Sequence, residues 1–441
     1  MTSLTTAADG RLHRFGELAT RRSNRIAWVL AGVVVVIGGG YSAYLGSRIR
    51  YLDERVYVQL ARYLVHGHGY TADGSTPTAY RPPGYGFILA AVDLVHGGVF
   101  TMRMLNFIAL AATVVLVHRL VLRFTSPAIA VLAAAATAFY PLFIYTAGTL
   151  YPQIIAGFLV VAALSLVLRA TDPGQTTRRR WQLAIAAGFV LGVLTEAVPT
   201  FGPTAVLLCA IPVLRRVDGR WLIASITLAS FAVLPVAWCV RNAVEMHAFI
   251  PVSTNNGVNL LLGNSEHANA FGGRVVDISQ YEDPAHAEGL REVALDNRFT
   301  SDSVKWMKAN PGRTVTLYIE KYASNFTYSS PLATANRSST ANDLLVAVSY
   351  YPILALALFR LALWRRRPLS RLEKGVALLI FGNVALLAVF YTRLRFRIPL
   401  DTLTIVLAAG GAYQLAAMWR AARTARTPVA PALVSTAPVA D

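Results

Sequence analysis

The chain has 441 residues, 55% of them hydrophobic and 15% charged, with a mean hydropathy of +0.48 and a formal net charge of +18. Such a balance excludes an ordinary soluble protein and describes a polytopic membrane protein. The positive charge is concentrated in short loops between apolar runs, which excludes nucleic-acid binding as its purpose.

Apolar runs approaching the roughly 20 residues that a helix needs to cross a bilayer recur about ten times. They lie near 26–46, 101–121, 127–149, 151–169, 182–197, 199–214, 221–240, 341–363, 374–391 and 398–416. The stretch 182–214 is too long for one span at about 1.5 Å per residue. Pro199 offers a break, so it is divided in two. The expected fold is an all-α membrane bundle of about ten transmembrane helices, with external interfacial helices and a small external lobe.

With the N-terminus inside, the inner segments are the tail with Arg21, Arg22 and Arg25, the turn with Arg119 and Arg123, and the loops 178–180, 215–220 and 364–374, followed by the C-terminal tail. With the adjoining span ends, which add Arg169, Asp172 and Arg360, these hold 23 of the 41 Lys and Arg but only 6 of the 23 Asp and Glu. The outer segments are left with 18 bases and 17 acids, so nearly all of the net charge falls on one face. That bias places both termini in the cytoplasm of a plasma (inner) membrane protein. The first span reads as a retained anchor. Cys209 and Cys239 lie in predicted spans and indicate neither a disulfide framework nor a metal site.

In chain order, residues 1–25 and 417–441 are expected to be disordered cytoplasmic tails. A membrane module, 26–240, carries a first external loop, 47–100. Within that loop, Asp53 to Val65 has the period of an amphipathic helix, with Val56, Leu60 and Leu64 on one face. A run rich in turn formers follows, then a second interfacial helix over Phe87 to Val95. An external lobe, 241–342, contains a helix that Ser301 could cap, stopping at Asn310-Pro311-Gly312, with another beginning near Thr314. C-terminal membrane helices occupy 343–416.

Two groups of residues carry candidate chemistry. Asp53 and Glu54 stand in the first external loop, where Asp53 could cap its helix, act as a general base, or do both. Arg393, Arg395 and Arg397 stand at the outer end of the last spans, against the positive-inside trend. They are either interface anchors, with Asp401 one turn from Arg397, or the holders of an anion such as a lipid phosphate. Arg81, between Tyr80 and Tyr85 in a turn stiffened by two prolines, is a further candidate for phosphate. Tyr57, Tyr80, Tyr85, Asn255 and Asn264 are candidates for the substrate pocket. The histidines are scattered; no metal is assigned, although a divalent ion stays possible. Two glycosylation sequons, at Asn325 and Asn336, fall in the external lobe.

The fragments LDERVYVQLARYLVHGHGY, TAYRPPGYGFILAA, WCVRNAVEMHAFIPVSTNNGVNLLLGN and FRIPLDTL, in this order, resemble the GT-C membrane glycosyltransferases. The branch they are most similar to is that of protein mannosyltransferases and lipid A aminoarabinose transferases. The resemblance implies a polyprenyl-phosphate-linked sugar as donor and an unknown glycan, lipid or protein as acceptor. It also implies hexosyl or pentosyl transfer outside the cytoplasm with inversion. It places the acidic residue of the first external loop at Asp53, beside Glu54, and matches the basic residues near the last spans to Arg393–Arg397. Two departures stand out: Gln153 where relatives often carry an acid, and Glu196 where many have a base. The competing reading is a transporter or flippase of a lipid-linked saccharide.

Overall fold

The computed structural model describes residues 2–272, 276–328 and 340–426. Among them the chain is all-α apart from one isolated bridge between Thr71 and Pro77. In chain order the helices are α1 (Thr2–Leu45), α2 (Leu52–Val65), α3 (Pro83–Leu94), α4 (Val99–Leu122), α5 (Pro127–Ala138), α6 (Pro141–Ala147), α7 (Gln153–Ala170), α8 (Thr177–Ala197) and α9 (Gly202–Leu214). They continue with α10 (Arg220–Met246), α11 (Asn256–Gly263), α12 (Ser279–Ala287), α13 (Glu292–Ala309), α14 (Pro311–Ser324), α15 (Thr340–Ala362), α16 (Arg371–Leu387) and α17 (Leu394–Arg426).

Among the described residues six helices are long and apolar enough to span a membrane: Gly16–Leu45 of α1, α4, α7, α10, α15 with its extension to Arg365, and Leu394–Thr424 of α17. The bent pair α5–α6, broken by 47° before Pro141, makes a seventh if it counts as one span. This corrects the expectation of about ten. α8 opens with three arginines, α9 has only 13 residues, and α16 has 17. They pack within the same bundle, but length and apolarity do not mark them as independent spans. The division at Pro199 is as expected: a short 3-10 turn, Pro199–Phe201, separates α8 from α9.

Apolar side chains point both ways from the bundle. Phe107, Leu110, Val114, Val160 and Leu403 are buried at its centre, whereas Val36, Val233, Val236, Val240 and Val348 are exposed on its flanks. A continuous apolar flank of this kind requires lipid to cover it. The chain is therefore a multi-pass membrane protein.

The two ends of the bundle differ. At one end Arg123 pairs with Asp172 at 2.8 Å, Arg215 donates to Thr171 at 2.7 Å, and Arg360 forms a buried pair with Glu373 at 2.6 Å. Ser370 closes a capping box with the same Glu373 at the start of α16. The other end carries α2, α3 and the lobe formed by α11–α14. The sequence predicts a disordered tail over residues 1–25, but α1 is already helical from Thr2. Likewise α17 runs on to Arg426, and the remainder of the predicted C-terminal tail lies outside the described residues.

Candidate active site

α2 begins at Leu52, and its N-cap, Tyr51, makes no side-chain cap bond. Asp53 is thus the second residue of the helix, where a negative charge suits the positive end of the dipole. Its Oδ1 accepts from Arg81 Nη2 at 2.5 Å and its Oδ2 from Arg395 Nη1 at 2.9 Å. Three segments far apart in sequence, the start of α2, the Pro-rich turn and the start of α17, converge on this carboxylate. The three side chains keep 19–27% of their surface, so the pairs are partly solvated and screened.

Arg81 is positioned from three sides. The Tyr70 hydroxyl donates to the carbonyls of Arg81 and Pro82, both at 3.1 Å. Arg241, on α10, donates to the carbonyls of Thr78 at 2.9 Å and Tyr70 at 3.1 Å. Glu292, the first residue of α13, accepts from Thr78 Oγ1 at 2.6 Å, Ala79 N at 2.7 Å and Thr254 Oγ1 at 2.6 Å. Just beyond the turn, Gly84 lets α3 close on the end of α8: a Cβ there would stand 2.6 Å from the Ala197 nitrogen. Burial pulls the Arg81 pKa down, but the Asp53 carboxylate beside it and Tyr57 more than offset this, leaving it raised and the guanidinium charged.

The Asp53–Arg81–Arg395 cluster lines a cavity with about 850 Å³ of empty space, the open solvent at its mouth included. Its lining includes the apolar side chains of Val198, Pro199, Leu387, Phe390 and Phe396. It also includes the polar side chains of Tyr57, Tyr151, Gln153, Asn255, Asn256 and Asn259. The Arg395 guanidinium lies 4.8 Å from the centre of the Tyr151 ring, a cation–π arrangement that fixes both groups. Burial raises the hydroxyl pKa of Tyr57 and of Tyr151, so both stay protonated and able to donate.

Of the candidates from the sequence, Asp53, Arg81, Arg395, Tyr57 and Asn255 line this cavity. The others lie elsewhere. Glu54 is fully buried beneath α2, its Oε2 accepting the Arg50 backbone N–H at 3.2 Å, and burial raises its pKa against the pull of Arg50 and Arg103. Arg393 lines a small separate pocket with Phe271, Ser324 and Thr392, and burial lowers its pKa. Arg397 points into the bundle, paired with Asp401 at 2.9 Å and stacked 3.6 Å from the Tyr350 ring centre, which matches the structural alternative for that residue.

Tyr80 is exposed beside Arg81 and outside the cavity wall, while Tyr85 is wholly buried, edge-on to Tyr57 at 5.2 Å. Asn264 is a structural amide that donates to Val389 O and accepts from the buried Lys321. Asn325 of the first sequon is also buried, its amide donating to Lys321 O at 2.9 Å, and Asn336 lies outside the described residues. Sequence reasoning overlooked Tyr151, Asn256, Asn259, Phe390 and Tyr391 as cavity residues. The Tyr-Pro-Gln and Thr-Asn-Asn runs were the signals available. Among the described residues no three His, Cys, Asp or Glu side chains form a metal-binding group. A single carboxylate already engaged by two guanidiniums is poorly suited to hold a cation.

Comparison with known proteins places this geometry in a fold. A family model described as "Predicted membrane protein (DUF2142)" matches residues 66–281, a stretch with Arg81, Tyr151, Gln153 and Asn255 but neither Asp53 nor Arg395. No curated protein matches the sequence. Among solved structures, the oligosaccharyltransferase of Archaeoglobus fulgidus in complex with Zn and sulfate aligns at TM-score 0.51 and 15% identity, over 89% of this chain and 50% of its own.

The same organism's oligosaccharyltransferase AglB, with an inhibitory peptide and a dolichol-phosphate, gives 0.48 and 16% over 91% of this chain and 52% of its own. ArnT from Cupriavidus metallidurans bound to undecaprenyl phosphate gives 0.43 and 14% over 92% and 81%. The chain spans about half the length of the oligosaccharyltransferases it matches. At such identities the likeness is one of fold alone, an all-α membrane bundle like that of the Archaeoglobus fulgidus oligosaccharyltransferase.

Proposed function

We propose that this protein is a membrane glycosyltransferase that moves a sugar from a polyprenyl-phosphate donor to an acceptor on the extracytoplasmic face. A shared fold does not carry this reading alone. The observation that carries it is the junction of Asp53 with Arg81 and Arg395 at a cavity lined by both apolar and polar side chains. The apolar side chains suit a prenyl chain, two guanidiniums suit its phosphate, and a carboxylate beside them suits a proton acceptor.

In the proposed reaction the acceptor hydroxyl oxygen bonds to the anomeric carbon as its proton passes to Asp53. The bond from that carbon to the phosphate oxygen breaks, and the electron pair leaves with the lipid phosphate. Arg81 and Arg395 stabilise the charge that develops there. One displacement inverts the anomeric configuration. With both guanidiniums on it, Asp53 is a weak base; a donor phosphate that draws them away would release the carboxylate. The proposed orientation follows the positive-inside bias of the basic loops, such as those with Arg123 and Arg215, which would put them in the cytoplasm and the cavity outside.

Asp53→Asn, assayed in purified protein with polyprenyl-phosphate sugars, is expected to lower transfer by about 10²–10⁴-fold while donor binding is largely retained. Unchanged turnover would remove Asp53 as the base.

A further inference from the structure

We propose that the cavity selects a neutral, hydroxyl-bearing sugar over an amino sugar, and that Gln153 sets this preference. The inference rests on the donor reading above and narrows it to a class of sugar. Its basis is the charge carried by the cavity wall. Of the described residues that line it, only Asp53, Arg81 and Arg395 are charged, one acid against two bases. A donor phosphodiester contributes one negative charge and balances that wall. An amino sugar adds a positive charge that needs a carboxylate of its own, and the single carboxylate of the wall, shared with two guanidiniums before the donor arrives, is committed to the acceptor's proton once the phosphate draws them away.

Glu196 does not supply the missing acid. It is buried behind the wall formed by Ala197 and Val198 and is not among the cavity residues. The remaining polar groups are hydroxyls and amides, which serve a neutral sugar. Gln153 is the most informative of them. It is the first residue of α7, only 5% exposed, and it lines both the cavity and a small neighbouring pocket with Thr113 and Thr402. Among the described residues its buried Oε1 has no hydrogen-bond partner.

A buried amide oxygen without a partner is costly and is satisfied by an incoming donor. Turned about its last torsion, the same amide offers N–H groups to an acceptor. A sugar hydroxyl, which donates and accepts, can use either side. An ammonium group uses only the oxygen and leaves its charge unbalanced.

The test is equilibrium binding to purified protein in nanodiscs of three short-chain polyprenyl phosphates. They carry a pentose, the same pentose with its 4-hydroxyl replaced by an amino group, or no sugar. In the wild type the hydroxyl form is expected to bind at least about tenfold more tightly than the amino form. Gln153→Glu, which keeps the shape and adds a charge, is expected to reverse that order with the sugar-free phosphate bound as before. If the two sugars bind alike or the amino form binds better in the wild type, the sugar preference is wrong although the donor reading stands. If the sugar-free phosphate does not bind, the donor reading fails and takes this inference with it. The wild-type comparison decides the matter even if the variant does not fold.

Discussion

At the scale of residues, the three arginines of the LRFRIP run behave differently although they alternate in sequence. Arg395 faces Asp53 across the cavity, Arg393 turns to a neighbouring small pocket, and Arg397 enters the bundle to meet Asp401. This leads to separable expectations. Arg395→Ala should weaken binding of a polyprenyl phosphate at least about tenfold with little loss of thermal stability, because its pair is partly solvated. Arg397→Ala should cost about 3–5 kcal/mol of stability by leaving Asp401 buried without its cation. Lipid titrations alongside thermal unfolding in detergent would separate the two; equal effects of both variants on both readouts would contradict these assignments.

At the scale of elements, the lobe holds the turn that carries Arg81. Glu292 at the head of α13 gathers Thr78, Ala79 and Thr254, so the turn carrying Arg81 depends on a helix more than 200 residues away. Glu292→Ala is expected to cost about 2–4 kcal/mol and to weaken donor binding through Arg81, since three hydrogen bonds to a carboxylate are lost at once. Turnover at saturating donor should fall less than donor affinity, a split that steady-state kinetics would reveal.

The sequence expected a helix capped by Ser301, whereas α13 starts nine residues earlier and Ser301 lies within it. Charge at Glu292 and tertiary contact at its N-terminus, rather than a capping hydroxyl, set that boundary. The stop before Pro311 was legible because proline disfavours helix at the residue that precedes it.

Lys321 on α14 gives the lobe a pH signature. Its ammonium group donates to Gly263 O, Asn264 Oδ1 and Val389 O, and burial lowers its pKa to about 8. The unfolded chain holds this proton up to its ordinary pKa near 10.5, so between these values the unfolded state binds more protons than the folded state. Lys321 should therefore make stability rise with pH from about 8 to 10.5. Comparing the pH dependence of unfolding in the wild type and in Lys321→Met checks this: the difference between the two should change in that window and be flat below it.

At the scale of the whole molecule, charge and packing divide the bundle into two unlike ends. A cysteine placed at exposed Phe249 beside the lobe and one placed at exposed Arg366 in the basic loop should react with an impermeant maleimide from opposite sides of a sealed vesicle. Labelling of both from one side would overturn the orientation. The close pairing of α8 with α10 explains why α8 belongs to the bundle although its composition does not mark it as a span. Gly188 and Gly192 share one face, and a Cβ on Gly192 would stand 3.0 Å from Phe231 O.

By itself the sequence determined the class of this protein. Apolar runs show that it crosses a membrane, and the arginine bias of short loops separates its two ends, because both follow from transfer energies that each segment carries alone. Asp53 and Arg81 were legible because charge in a loop at the bilayer edge is unusual enough to be noticed. The number of independent spans was not, since helix length and bend depend on neighbours such as those that hold α5–α6, α8 and α16. Nor could the sequence say which arginine of an alternating run meets an acid 342 positions away. Side-chain direction at the start of α17 is fixed by packing against α7 and α15, and only the tertiary structure decides it.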